Sequence, residues 1–221
     1  AARRAPFAEA MEALASEQAD DADLQALCAE AVMNLAPWQL WEADRKTPTA
    51  IARRASAVLD RGLAVAPTHP FLCHLKVHHD EMGPVSAFDW AAAEALRENA
   101  AAVGHLLHMP THLDIQVGDY ARAISCNEIA IEADLALHAA DASRFAIYLG
   151  YVTHNMEFAA WAAMYAGCRA RALAAAAAID ALLTEEVLRA NPINPVFNEV
   201  YRSDRLMVLT RFGEWDAILA T

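Results

Sequence analysis

The chain has 221 residues, with 53 alanines against 7 glycines and 17 basic against 29 acidic side chains, for a net charge of −12. That length supports one or two compact units with a sizeable core. The alanine excess favours helix and argues against an all-β sandwich, because alanine loses no side-chain entropy in a helix while glycine loses the most backbone entropy. The negative charge opposes both the counterion release that drives nucleic-acid binding and attraction to anionic lipid, so neither nucleic acid nor a membrane is an expected partner.

The start, Ala1-Ala2-Arg3-Arg4-Ala5-Pro6, has no initiator methionine and no apolar signal region, which suggests a trimmed chain or a piece of a longer one. Asp20-Asp21-Ala22-Asp23 is a capping signal before an apolar run from Leu24 to Leu35, the first helical hairpin. Ala55, Leu59, Gly62, Leu63 and Val65 recur at helical spacing and are closed by Pro67, as in the second helix of a hairpin. Gly83-Pro84 marks an inserted loop, and Asn191-Pro192-Ile193-Asn194-Pro195 another. Gly118-x-Tyr120 opens a stretch containing Ala123, Ile124, Asn127 and Ala130; Gly167 precedes Ala172, Leu173 and Ala176; Gly213-x-Trp215 opens a last one that stops at Thr221. The longest uncharged alanine run, Ala172 to Ala178, is far short of the roughly 20 apolar residues of a membrane-spanning helix. Cys28, Cys73, Cys126 and Cys168 lie far apart with no C-x-x-C spacing, so they read as thiols of a reducing, cytoplasmic compartment and not as a disulfide framework or zinc knuckle.

These glycine-turned, alanine-rich hairpins resemble tetratricopeptide repeats, from about Ala50 onward. The turn glycines are 49 and 46 residues apart, not at the 34 of the regular repeat, so longer helices or loops are expected. The resemblance implies an all-α fold: an array of antiparallel helical hairpins in a right-handed superhelix, with residues 1–221 forming a single repeat domain of a longer array. It also implies that the first helix of each hairpin lines a concave groove where a small molecule or peptide binds.

Seven of nine histidines fall in those first helices. His74, His78 and Glu81 stand at i, i+4 and i+7, one helix face; His105, His108 and His112 step by three and four and share another. His154 and Glu157 form a third segment. His105 and His154 both lie thirteen residues before their turn glycine, and a shift of 34 lays His74 on His108 and His78 on His112. Five or six imidazoles and one or two carboxylates are therefore expected in one concavity. Imidazole suits iron, copper and zinc, and open positions beside a carboxylate suit an ion that does chemistry. The set has room for one or two ions.

The block Gly104-His105-x-x-His108-Met109-Pro110-Thr111-His112, with His154-Asn155, the preceding His74-x-x-x-His78-x-x-Glu81 helix, Met33 to Trp38, Trp41 and Asn127, is similar to a poorly characterised tetratricopeptide-like subgroup. Lys76 and His79 depart from that subgroup's pattern. The block carries no substrate with it.

We therefore expect a metal-dependent enzyme, oxidative with iron or copper and hydrolytic with zinc, whose ligands come from His74, His78, Glu81, His105, His108, His112 and His154. Glu81 is a ligand or general base, and Tyr151 a donor of a proton or radical. Pro110 as a first helical residue would place His105 and His108 in the preceding turn, and His105 behind a ligand. Asn127 and Asn155 read equally as partners of the ligands or as helix-surface residues. The alternative is a metal-free scaffold that holds a peptide or partner protein. His69 and His138 read as ordinary core residues, and Trp38, Trp41, Trp90 and Trp161 as core or as pocket walls. Cys73 beside His74 does not form a dyad, since helix neighbours point about 100° apart.

Overall fold

The structure, a computed structural model, describes residues 3–100, 102–141, 145–190 and 200–220, with the backbone alone for 145–147. The described chain is all-helical, and its β pairing is an isolated bridge between Trp41 and Pro48. It divides into two compact units, Ala1–Ala100 and Ala101–Thr221. Among the described residues no helix is long and apolar enough to cross a membrane. The loop expected around Asn191–Pro195 lies outside the described residues.

The first unit contains α1 (Arg4–Glu17), α2 (Ala22–Met33), α3 (Ala50–Val65), α4 (Pro70–Glu81) and α5 (Trp90–Asn99). Their starts follow from side chains that accept from otherwise unpaired backbone N–H groups: Asp21 takes Leu24 N, Thr49 takes Ala52 N and Asp89 takes Ala92 N. His69 is such a cap too. Its Nδ1 accepts from Leu72 N, its Nε2 meets Asp23 at 2.9 Å, and Pro70 follows at the first helical position, so it is a helix start and not a core residue. Ala8, Ala15, Ala26, Ala29, Ala55, Leu59 and Leu72 form a core of small side chains that lets the helices approach closely. A Cβ on Gly62 would come within 2.8 Å of Leu72 and 3.0 Å of Gln25, so glycine is what the contact of α3 with α2 and α4 requires. Gly83-Pro84 does lead into a loop, ending in a short 3₁₀ turn at Val85–Ala87.

The second unit contains α6 (Gly104–His108), α7 (Thr111–Val117), α8 (Tyr120–Ala140), α9 (Phe145–Tyr165), α10 (Arg169–Leu182), α11 (Glu185–Ala190), α12 (Asp204–Arg211) and α13 (Trp215–Leu219). Gly118, Gly167 and Gly213 all have positive φ, 81°, 71° and 71°, and separate α7 from α8, α9 from α10 and α12 from α13. L side chains rarely adopt that conformation, which is why the sequence places glycine at each turn. Ala123, Ala160, Ala163, Ala172, Ala176 and Val208 make one core; Leu149, Val152, Met156, Ile179 and Leu183 make a second.

Helix begins earlier around Pro110 than the proline suggests. α6 starts at Gly104, so His105 and His108 are helical. Met109 and Pro110 keep right-handed helical dihedrals, and the chain passes into α7 through short i−3 bonds, His112 N to Met109 O and Leu113 N to Pro110 O, each 3.1 Å. The ring removes one N–H donor and tightens the turn without ending it.

Candidate metal centre

In the second unit, His108 and His112 meet across the tightened turn at Pro110, with Nε2 of one ring 2.9 Å from Nε2 of the other. His154, midway along α9, brings its ring to 4.7 Å from that of His108 and 5.8 Å from that of His112. One nitrogen from each of the three lies within 4.8 Å of the others. At the tetrahedral angle of a zinc site two nitrogens about 2.1 Å from one ion stand about 3.4 Å apart, so the 2.9 Å His108–His112 contact is a hydrogen bond between the rings that a shared ion would open by about 0.5 Å.

What lies behind the rings decides which nitrogen would face an ion. Asn127 Nδ2 donates to Ala123 O at 2.8 Å, which fixes the amide so that Oδ1 accepts from His108 Nδ1–H at 2.7 Å. His108 is thus the tautomer whose Nε2 carries the lone pair. His154 Nδ1 faces Glu157 Oε2 at 3.3 Å, the carboxylate–imidazole arrangement that fixes the orientation of a metal-binding ring. His108 is fully buried. Burial first, and then the neighbouring His112 and His154, hold its pKa well below the usual histidine value, so the ring stays neutral and able to coordinate. Phe158 packs on all three rings, at 4.6–4.8 Å between centroids, and supplies an apolar wall.

Compared with known proteins, the chain matches no family model, no curated protein and no solved structure.

The remaining candidates divide between the units. His105 packs against Tyr151, 4.5 Å between centroids, and stands 6.0 Å from His108 in a stacked arrangement. Tyr151 thus touches His105, and is half exposed. In the first unit, His74 and His78 approach edge to face at 4.7 Å, and His78 Nδ1 meets Glu81 Oε1 at 2.6 Å. His78-x-x-Glu81 and His154-x-x-Glu157 therefore make the same local contact, one turn of helix placing the carboxylate behind Nδ1. Lys76 and His79 belong to a buried structural network. Lys76 Nζ donates to both oxygens of Asp80 at 2.7 Å, and His79 contacts Asp80 at 2.9 Å and Ala52 O at 3.1 Å. Cys73 is buried with its pKa pushed up to about 11, a thiol unsuited to nucleophilic work.

Asn127 is buried and holds His108. Asn155 is buried and turns instead to Asp134, donating to Oδ2 at 2.9 Å. Two buried carboxyls had no sequence signal of their own. Burial pushes Asp134 up to about 6, and burial together with the Glu157 charge pushes Asp204 up to about 7. Phe158 was legible in principle, four residues after His154 on the same face.

Replacing Asn127 by alanine removes the 2.7 Å acceptor that sets the His108 tautomer and leaves its buried N–H with only the longer 3.5 Å contact to Thr111 Oγ1. Metal affinity, measured by competition with a chelator, is expected to fall about 10–100-fold, and stability by about 1–3 kcal/mol. Unchanged affinity would mean that Asn127 does not orient the ring.

Proposed function

We propose that this protein is a metal-dependent enzyme that binds one ion through His108, His112 and His154 in its second unit. The convergence of three imidazole nitrogens, two of whose rings are held from behind by Asn127 and Glu157, carries the reading. Without an ion the His108–His112 bond and the Asn127 and Glu157 contacts pair these rings, so what supports a metal is the gathering of one nitrogen from each of three rings within 4.8 Å, where an ion would replace that one bond. Three protein nitrogens leave a coordination position open, as catalytic zinc sites do. The carboxylate sits behind His154 and not among the donors, which favours zinc over the two-histidine, one-carboxylate iron arrangement. Zinc there supplies a nucleophile at neutral pH by lowering the pKa of a coordinated water to about 7, so the reaction class we propose is hydrolytic. The net charge of −12 attracts a cation. The glycine-turned hairpins of the second unit fit tetratricopeptide-like repeats, and we propose that class for the fold.

Tag-free protein reconstituted with zinc, iron or copper tests the assignment. Wild type is expected to retain zinc, and His154→Ala, at a partly exposed position, to lose it by about 100-fold or more in affinity with its helical spectrum intact. Retention of iron or copper in preference to zinc would move the reaction class to oxidation. Equal zinc affinity of wild type and His154→Ala, or no retained metal of any kind, would overturn the site in favour of a metal-free scaffold.

A further inference from the structure

In the first unit, α2, α4 and the segment 34–49 between α2 and α3 line a cavity of about 220 Å³. The segment is fixed at several points. Trp41 Nε1 donates to His79 O and an Arg45 guanidinium nitrogen to Glu81 O, both at 2.9 Å, and Thr49 Oγ1 donates to Leu40 O at 2.9 Å. Trp38, three residues before Trp41, meets the His78 ring at 5.6 Å in a T-shaped contact, yet 69% of it stays open to solvent. A buried tryptophan contributes a large apolar area to a core. This one instead leaves most of its indole available beside the cavity, which it lines with Met33, Leu40 and Met82.

The charge on the lining is negative. Glu30, one turn before Met33 on α2, is exposed, and among the described residues its carboxylate has no hydrogen-bond or ion-pair partner. The described lining contains no lysine or arginine; Arg4 donates to the Asn34 carbonyl at 3.2 Å and is not part of it. With or without a proton in their 2.6 Å contact, His78 and Glu81 together carry 0 or −1, so that pair adds no positive charge. The net charge of −12 favours a cation in the same sense.

These walls select by exclusion. An anion finds no cationic partner. A neutral apolar molecule would draw the Glu30 carboxylate out of water with nothing to neutralise it. A hard metal ion needs several oxygen ligands, where the lining supplies one carboxylate. A primary ammonium carries three donors, each needing an acceptor, whereas a quaternary ammonium carries none. Its charge suits an indole face and a carboxylate, and its methyl groups suit thioethers and leucine. An apolar cavity of about 150 Å³ holds benzene, so this one has room for a trimethylammonium head, which has fewer heavy atoms.

We propose that this cavity binds an organic cation through its quaternary ammonium head, placed against the Trp38 indole and neutralised by Glu30. The proposal does not depend on the metal reading of the second unit, and its test is run on the full chain in chelator so that the two fail separately. Titration calorimetry with choline at pH 8 and low salt is expected to give saturable one-site binding with a Kd of about 1 mM or tighter. 3,3-Dimethylbutan-1-ol, the uncharged carbon analogue of choline, is expected to bind at least about tenfold more weakly. Trp38→Leu keeps an apolar side chain but removes the π face, and its choline affinity is expected to fall about tenfold, with Trp38→Phe between it and wild type. Glu30→Gln is expected to lose about threefold and to show a flatter salt dependence. Both positions are exposed, so the helical spectrum is expected to stay that of wild type in each variant. Absence of saturable choline binding by wild type, equal binding of choline and its carbon analogue, or undiminished binding by Trp38→Leu or Glu30→Gln would overturn it.

Discussion

Alanine at Gly104 is expected to cost about 3 kcal/mol and to weaken metal binding, although alanine is the better helix former by about 1 kcal/mol. A Cβ at that position would lie 2.3 Å from Asp134 Oδ1 and 2.5 Å from the backbone oxygen of Ala130. The carboxyl has limited freedom to give way, because Asn155 holds it, and the carbonyl belongs to α8 itself. α6 must therefore lift away from α8. His108 rides on α6 and its partner Asn127 on α8, so a displacement of a fraction of an ångström breaks the 2.7 Å bond that sets the His108 tautomer. For a chain of this length the stability loss corresponds to a Tm lowered by about 10 °C. Thermal unfolding monitored by circular dichroism, with metal affinity measured on the still-folded variant, checks both effects. A Tm within about 2 °C of wild type would show that the two helices are not in the close contact described.

Stability is expected to fall as pH rises from about 4 to about 7, the reverse of ordinary acid denaturation. The two buried carboxyls of the second unit set the direction. Asp204 is 2% exposed and holds its proton up to about pH 7 in the folded chain, against about 4 in the unfolded one. Between those values the folded state binds more protons than the unfolded state, so raising the pH removes stability. The contribution is complete below about pH 4 and gone above about pH 7. Moving the Asp204 ionisation that far is worth as much as about 4 kcal/mol, and Asp134, with a window of about 4 to 6, adds as much as about 3 kcal/mol. Urea unfolding at pH 5 and pH 8 is expected to show the wild type weaker at pH 8, with Asp204→Asn losing markedly less across the same interval. Parallel pH dependence in wild type and variant would show that Asp204 ionises normally.

The helices and their turns were legible because their signals are local. Asp21 and the glycines at 118, 167 and 213 act within one turn of chain, and each is where its spacing placed it. The pairing of His108 with His112 was legible for the same reason, since i, i+4 spacing survives the tightened turn at Pro110, although the start of α6 at Gly104 was not. His154 joins them from 42 residues away, a distance that only the glycine-turn register bridged. Asn127 and Asn155 show where local reading stops. Both are buried amides on long helices, yet one accepts from His108 and the other donates to Asp134, a difference set by which helix lies opposite. Asp134 and Asp204 look like surface acids in sequence, and only packing puts them out of reach of water.

The bond between His108 and His112 bears on how the proposed centre would take up an ion. His108 Nδ1–H is committed to Asn127, so its Nε2 accepts, and the proton in the 2.9 Å contact belongs to Nε2 of His112. Before that nitrogen can coordinate, its proton must migrate to the opposite side of the imidazole or depart into solvent, through a ring only 8% accessible. Under the proposed zinc reading, loading exchanges one hydrogen for one ion at the same atom, so uptake is expected to release a proton and to weaken as the pH falls.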